Sequence, residues 1–285
     1  MPNPLYRFPL AYTQTPIGPF IYIPTDEYVG KALQEYGWYS PSESHFLQKI
    51  CRPNWRVANI GAQMGYVARV FDSVGAHVDA FEPQPGMFDV MKVNAALGQN
   101  INPYRVAVGE TVGMVNIPYF DYSRVGNFGA INSSMWTAGE QITQTTLDTL
   151  DIEYDLIQID AEGMELEILK GGTNIIEECK PILFLENDRP DTGKELIKYI
   201  ESIGYVCFWV ITPLFQTPNP AQNEINVFPN TVTFNMICFP KTHAIRPNNE
   251  NDIHIENMYR WCQENLSKAT PIDEIGKTNK WLVFN

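Results

Sequence analysis

The chain has 285 residues, 44% of them hydrophobic, which suits one large α/β domain with appendages and opposes a disordered chain. Its formal net charge of -13 repels phosphate backbones and anionic lipid, so neither nucleic acid nor a membrane surface is expected as a partner. Five cysteines are scattered without a C-x-x-C pair, mostly in apolar runs, and read as buried free thiols in a reducing, cytoplasmic setting; no run spans a bilayer, and the proline-rich start has no signal-peptide core.

In chain order, residues 1–24 carry six prolines and are expected to be extended, with a strand over 20–23. Residues 28–36 suit a helix stopped by Gly37. Ser40 or Ser42 with Pro41 then reads as a helix start, and Phe46, Leu47 and Ile50 give that helix its apolar face. Residues 55–60 form an apolar run of strand length, and Gly61-Ala62-Gln63-Met64-Gly65 is a small-residue turn. Val67, Val70, Phe71 and Val74 recur at the spacing of one helix face. Residues 78–81 read as a second buried strand, with Glu82 at its C-terminal end. A helix over 85–97, a third strand over 102–108 and an antiparallel strand over 114–118 follow. Residues 119–144 change character, rich in Gly, Asn, Ser and aromatics, and read as a long loop that is either functional or mobile, its aromatics either binding a ligand or covering a sheet edge.

Regular alternation then resumes. Residues 155–160 are a strand ending in Asp160, 163–170 a helix, and 181–186 a strand ending in Glu186. Thr192 with Glu195 reads as a capping box for a helix stopped at Gly204. Strands over 205–211 and 231–239 flank a second polar-aromatic loop, 213–230, and 253–266 suits a terminal helix. The expected fold is α/β: a mostly parallel sheet with helices on both faces. The final pair of strands lacks a helix between them, so the last strand is expected to run antiparallel.

The centre of this pattern has a chemical reading. Glycines let the backbone turn sharply and let a ligand lie against it. The helix that follows offers free N–H groups to an anion. Glu82 stands about 20 residues past the turn, where nucleotide-binding α/β units place the carboxylate that holds ribose hydroxyls. The dinucleotide fingerprint G-x-G-x-x-G is absent; the spacing here is G-x-x-x-G. Together with Phe81-Glu82-Pro83, that spacing resembles S-adenosylmethionine-dependent methyltransferases.

The run Asp160-Ala161-Glu162-Gly163-Met164-Glu165 is similar to the signature of FkbM-type methyltransferases, and Asn59-Ile60-Gly61-Ala62-Gln63-Met64-Gly65 resembles their first motif. Asn94, Ala107-Val108-Gly109, Thr146-Leu147-Asp148 and Asn235-Met236-Ile237-Cys238-Phe239-Pro240 also fit. The resemblance implies a Rossmann-like class I fold with seven strands over 38–241, insertions at 119–144 and 213–230, and extensions at 1–37 and 242–285. It implies S-adenosylmethionine as cofactor and O-methyl transfer to a hydroxyl, mostly of sugars and polyketide-like metabolites. The family usually has Asp where this chain has Asn59 and Asn where it has Gln63. Asn59 can hydrogen-bond but carries no charge.

The expected cofactor contacts are Asn59, Gly61, Ala62, Gln63, Gly65, Glu82, Pro83 and Asp160, with the adenine near Val106 and Ala107. Asp160 is the first candidate to accept the acceptor's proton and Glu162 the second. Glu165 reads as a favourable charge at a helix N-terminus. No histidine has metal-ligand spacing, and no metal is assigned. The acceptor is expected to be a sugar or glycan hydroxyl between the two long loops, with Phe128 and Trp136 as stacking residues. The alternative for those loops is self-association into a homo-oligomer. An NAD-dependent oxidoreductase and an inactive Rossmann-like binding module are the readings from other classes; Asn59 keeps the second open.

Overall fold

A computed structural model describes residues 8–130, 138–241 and 250–270. The strands β1 (Ala11–Thr15) and β2 (Gly18–Tyr22) form a hairpin, followed by the helices α1 (Val29–Tyr36) and α2 (Pro41–Ile50). Then come β3 (Arg56–Ile60), α3 (Tyr66–Asp72), β4 (His77–Phe81), α4 (Pro85–Ala96), β5 (Ile101–Tyr104), β6 (Ala107–Val108) and β7 (Gly113–Ile117). The second half runs β8 (Glu140–Thr145), α5 (Leu147–Leu150), β9 (Leu156–Ile159), α6 (Glu165–Lys170), α7 (Thr173–Cys179) and β10 (Ile182–Glu186). It closes with α8 (Pro190–Ser202), β11 (Tyr205–Pro213), β12 (Val232–Pro240) and α9 (Glu250–Asn265).

The main sheet has seven strands in the order β11-β12-β10-β9-β3-β4-β5. β3, β4, β5, β9 and β10 pair in parallel, and β12 runs antiparallel to both neighbours, as the missing helix between the last two strands predicts. The central strands β3, β4, β9 and β10 are mostly apolar and, past the exposed first residues of β3 and β4, almost wholly buried, as a parallel sheet covered by helices requires. One buried cluster, around Trp55, Phe71 and Phe184, takes in Phe20 and Ile23, so the N-terminal segment packs into the domain core. A second, around Leu147, Ile168 and Trp209, fills the opposite face.

Three expectations change. The third strand is split: β5 joins the main sheet, whereas β6 leaves it to pair with β8 in a small sheet of order β6-β8-β7. The insertion 119–144 therefore contains a strand at its end, because β7 needs an antiparallel partner for its backbone groups. The helix assigned to a Thr192 cap starts earlier, with Pro190 in its first turn, where a missing N–H costs nothing. Cys207 and Cys238 are not free thiols. They face each other in the antiparallel register of β11 and β12, with Cα atoms 4.1 Å apart, and are joined by a disulfide. Cys51 and Cys262 are buried thiols, and with one pair joined cysteine usage no longer argues for a reducing compartment. Among the described residues no helix is long and apolar enough to cross a membrane.

Candidate active site

Parallel strands all end on one edge of the sheet, and open α/β sheets bind ligands there. β3, β4, β9 and β10 deliver Gly61, Glu82, Asp160 and Glu186 to that edge, around one cavity of about 540 Å³. Of the expected cofactor contacts, Gly61, Ala62, Gln63, Glu82, Pro83, Val106, Ala107 and Asp160 line it, and so does Glu162.

The glycine turn is shaped by a close approach. Gly61 has φ of +79°, and a Cβ there would sit 1.8 Å from the carbonyl oxygen of Asp160. Only glycine lets β3 and β9 end side by side in this way. The N–H groups of Gly61 and Ala62 both donate to the Phe81 carbonyl at 3.0 Å, and that of Gln63 donates to Glu82 Oε2 at 2.9 Å. These three turn amides are therefore spent on β4 and the residue after it; the expectation of free N–H groups concerns the first turn of α3, which starts at Tyr66.

Glu82 is 6% exposed, and its other oxygen, Oε1, accepts the N–H of Gln84 at 2.7 Å. Each carboxylate oxygen keeps a further lone pair. Burial pushes the carboxyl up to about 7, against the pull of the two backbone donors.

Asn59 and Gly65 are not brought to the cavity wall. Asn59 lies in register with Gln158 on β9, and its Nδ2 donates to Gln158 Oε1, while Gln158 itself lines the cavity. The side chain is 1% exposed, so it acts on the cavity through Gln158. Gly65 is the N-cap residue of α3.

The other end of the cavity is acidic. Carboxylate oxygens of Asp160, Glu162 and Glu186 lie within 4.8 Å of one another. Such a set has the spacing to hold a divalent cation, but a resident cation already serves two of the three. Arg189 bonds Glu162, and it reaches Glu186 at 3.5 Å and Asp188 at 3.2 Å. Among the described residues Asp160 has no such partner. Burial first, then the neighbouring Glu162 and Glu43, hold its carboxyl well above the usual range. Glu186 is raised well above it too, by burial and then by Asp160. Glu165 is set apart from this group: its Oε1 accepts the N–H groups of Ala161 at 3.0 Å and Gly163 at 3.2 Å, fastening the loop after β9.

Sequence reasoning left three contributors unassigned. Glu43 of α2 is 7% exposed behind the acidic group and accepts the Ser40 hydroxyl at 3.0 Å. Tyr39 and Arg189 line the cavity. Arg189, three residues past Glu186 at the end of β10, was a readable signal, since a cation close to a strand-end acid is placed at the ligand edge.

The two long loops both reach the cavity, through Asn127 to Ala130 from the first and through Leu214 and Thr231 at the borders of the second. Phe128 is nevertheless 4% exposed, packed on Tyr122 at 4.8 Å and Phe120 at 6.2 Å between ring centroids. Its face is taken by protein, which corrects its role as a free stacking platform; Trp136 lies outside the described residues.

No curated protein matches the chain. Among solved structures it is similar to methyltransferase FkbM from Methylobacillus flagellatus, with 18% identity and a TM-score of 0.43, over 68% of this chain and 50% of that one. This chain thus spans half the length of that relative. It is also similar to a precorrin-6y C5,15-methyltransferase from Geobacter metallireducens (15% identity, TM-score 0.41, 69% of this chain and 87% of that one). An rRNA methylase from Streptococcus thermophilus gives 11% identity and a TM-score of 0.38, over 70% and 93% of the two chains. The profile of the methyltransferase FkbM domain matches residues 57–207, more than half of the chain. The stretch from the start of β3 to Cys207 in β11 carries both motifs of the cavity, and by that match the chain belongs to the FkbM methyltransferase family.

Proposed function

We propose that this protein transfers a methyl group from S-adenosylmethionine to a hydroxyl of a sugar, glycan or related metabolite. The observation that carries the reading is one cavity with a ribose-type carboxylate, Glu82, at one side and, at the other, Asp160, a carboxylate with no cation beside it among the described residues. S-adenosylmethionine, when bound, supplies a methyl group on a positively charged sulfur. The residues present fit it: Glu82 keeps lone pairs for the ribose, the glycine turn lines the cavity beside it, and the acidic group suits a cation.

In this reading Glu82 and the turn would hold the adenosyl part, and Asp160 would hold the acceptor hydroxyl and take its proton, while the methyl carbon exchanges its bond to sulfur for one to that oxygen and S-adenosylhomocysteine is left as the product. Positioning supplies much of the rate, because attack must be in line. Asp160 acts as base only when ionised, so turnover rises with pH through its elevated pKa. Arg189 keeps Glu162 and Glu186 from repelling the charged Asp160 further. Gln63, Asn127, Gln158 and Thr233 give the cavity the amides and hydroxyls that a polyol needs. The net charge of -13 and the acidic wall favour an uncharged acceptor over nucleic acid.

Calorimetry with S-adenosylhomocysteine tests the cofactor. Transfer of labelled methyl to a panel of free, nucleotide-linked and glycan-borne sugars, with RNA and free amines as comparators, tests the acceptor. Label on RNA or amines and none on hydroxyls would overturn the acceptor reading.

A further inference from the structure

The first long loop is tied to the cofactor side of the cavity by one side chain. Gln84 is 3% exposed and follows the Glu82-Pro83 pair. Its backbone N–H donates to Glu82 Oε1 at 2.7 Å. Its side chain turns the other way: Nε2 donates to the Phe128 carbonyl at 2.8 Å, and Oε1 accepts the Tyr122 hydroxyl. Backbone and side chain of one residue thus hold two different parts of the cavity. Both side-chain bonds are buried, so removing them leaves polar groups without partners.

The loop is built to meet Gln84. A Cβ on Gly86 would come within 2.2 Å of the Tyr122 ring, so α4 seats that ring through a glycine. The Tyr122 carbonyl accepts the Thr25 hydroxyl at 2.7 Å, and Gly126 exchanges backbone bonds of 3.1 and 3.0 Å with Thr25 and Glu27. From there Asn127 to Ala130 cross the cavity wall. The ideal Cβ position of Gly129 lies 3.2 Å from Gln63 Nε2 and 3.8 Å from Glu162 Oε1. The wall therefore stands between the cofactor turn and the acidic group, where it bounds the acceptor's space.

We infer that Gln84 is a positioning residue: it fixes the acceptor wall, residues 127–130, relative to the ribose carboxylate Glu82. This rests on the proposed cofactor site. It predicts that wall and cofactor grip separate cleanly, because a substitution at Gln84 removes the side-chain bonds and keeps the N–H to Glu82. With the wall fixed, acceptor space has one size and shape. Without it, the wall opens while the adenosyl part is still held.

The test uses the full chain, Gln84→Leu and Tyr122→Phe, with S-adenosylhomocysteine as probe. Affinity is measured by calorimetry and amide exchange by mass spectrometry, with and without the probe. In Gln84→Leu, exchange over 120–130 is expected to rise about tenfold or more, while β3 and β9 keep wild-type protection and affinity stays within about threefold. Tyr122→Phe, which removes one hydroxyl and is the milder change, should show a smaller rise in the same peptides. A purely structural role would instead raise exchange across the sheet and lower the midpoint of thermal unfolding. Wild-type exchange over 120–130 in both variants overturns the inference, as does a rise spread over the whole domain. If wild-type protein binds no S-adenosylhomocysteine, the cofactor reading fails and the inference falls with it. Binding with an unmoved loop defeats the Gln84 role alone.

Discussion

Glu82 should make cofactor binding depend on pH near neutrality. The perturbation is acidification from pH 8 to pH 6. Burial sets the carboxyl at about 7, opposed among the described residues by two backbone N–H groups and by no cation. A ribose needs the charged form as acceptor. With that value, about nine-tenths of Glu82 is ionised at pH 8 and about one-tenth at pH 6. Affinity for S-adenosylhomocysteine should fall about tenfold, or about 1.4 kcal/mol, over those two units. Binding below pH 7 should release a proton, seen as a calorimetric enthalpy that depends on the buffer's own ionisation enthalpy. The sign for stability is opposite. A carboxyl raised in the folded state stabilises the empty protein below its ordinary 4.5 and loses that contribution as pH rises through about 7, an upper bound of about 3 kcal/mol. The empty protein should therefore unfold more easily at pH 8 than at pH 5, and the cofactor should protect it most at pH 8. Glu82→Gln should bind weakly and without the pH slope, because the two backbone donors meet different carboxylate oxygens, the amide nitrogen that replaces one of them cannot accept, and the amide does not titrate. A flat affinity between pH 6 and 8, or the same slope in Glu82→Gln, would refute the reasoning.

Three further outcomes follow from the same geometry. Asp160→Asn should lower turnover about 10²- to 10⁴-fold with little change in S-adenosylhomocysteine affinity; equal turnover on a working acceptor would remove Asp160 as base. Gly61→Ala drives a Cβ into the Asp160 carbonyl and should cost about 2–4 kcal/mol in chemical denaturation, from overpacking and backbone strain together. Arg189→Met leaves Glu162 and Glu186 without their cation. It should cost about 1–3 kcal/mol at pH 8 and less at pH 5, where the raised carboxyls take up protons; thermal unfolding at the two pH values checks the difference.

The sequence by itself determined the order of elements through the core of the chain. Apolar runs and helix-face spacings depend on neighbours a few residues apart, and local periodicity records them directly. It also placed Gly61, Glu82 and Asp160 at strand ends, and strand ends in a parallel sheet share one edge whatever the details. The antiparallel direction of β12 was legible because no helix separates it from β11. The tertiary structure decided what depends on register between distant strands. Cys207 and Cys238 are 31 residues apart and meet only through the pairing of β11 with β12. Asn59 turns to Gln158 because β3 and β9 align those two positions, and no local pattern contains that alignment. Glu43 reaches the acidic group from a helix that precedes the family's matched segment, and Phe128 is covered by Tyr122 because Gly86 gives the Tyr122 ring its seat. A strand's own residues specify that it is a strand. Which buried groups it meets is set by the sheet's register and by the loops packed over its edge, so the chemistry of the site was readable as a set of acids and only the fold gave each acid its neighbours.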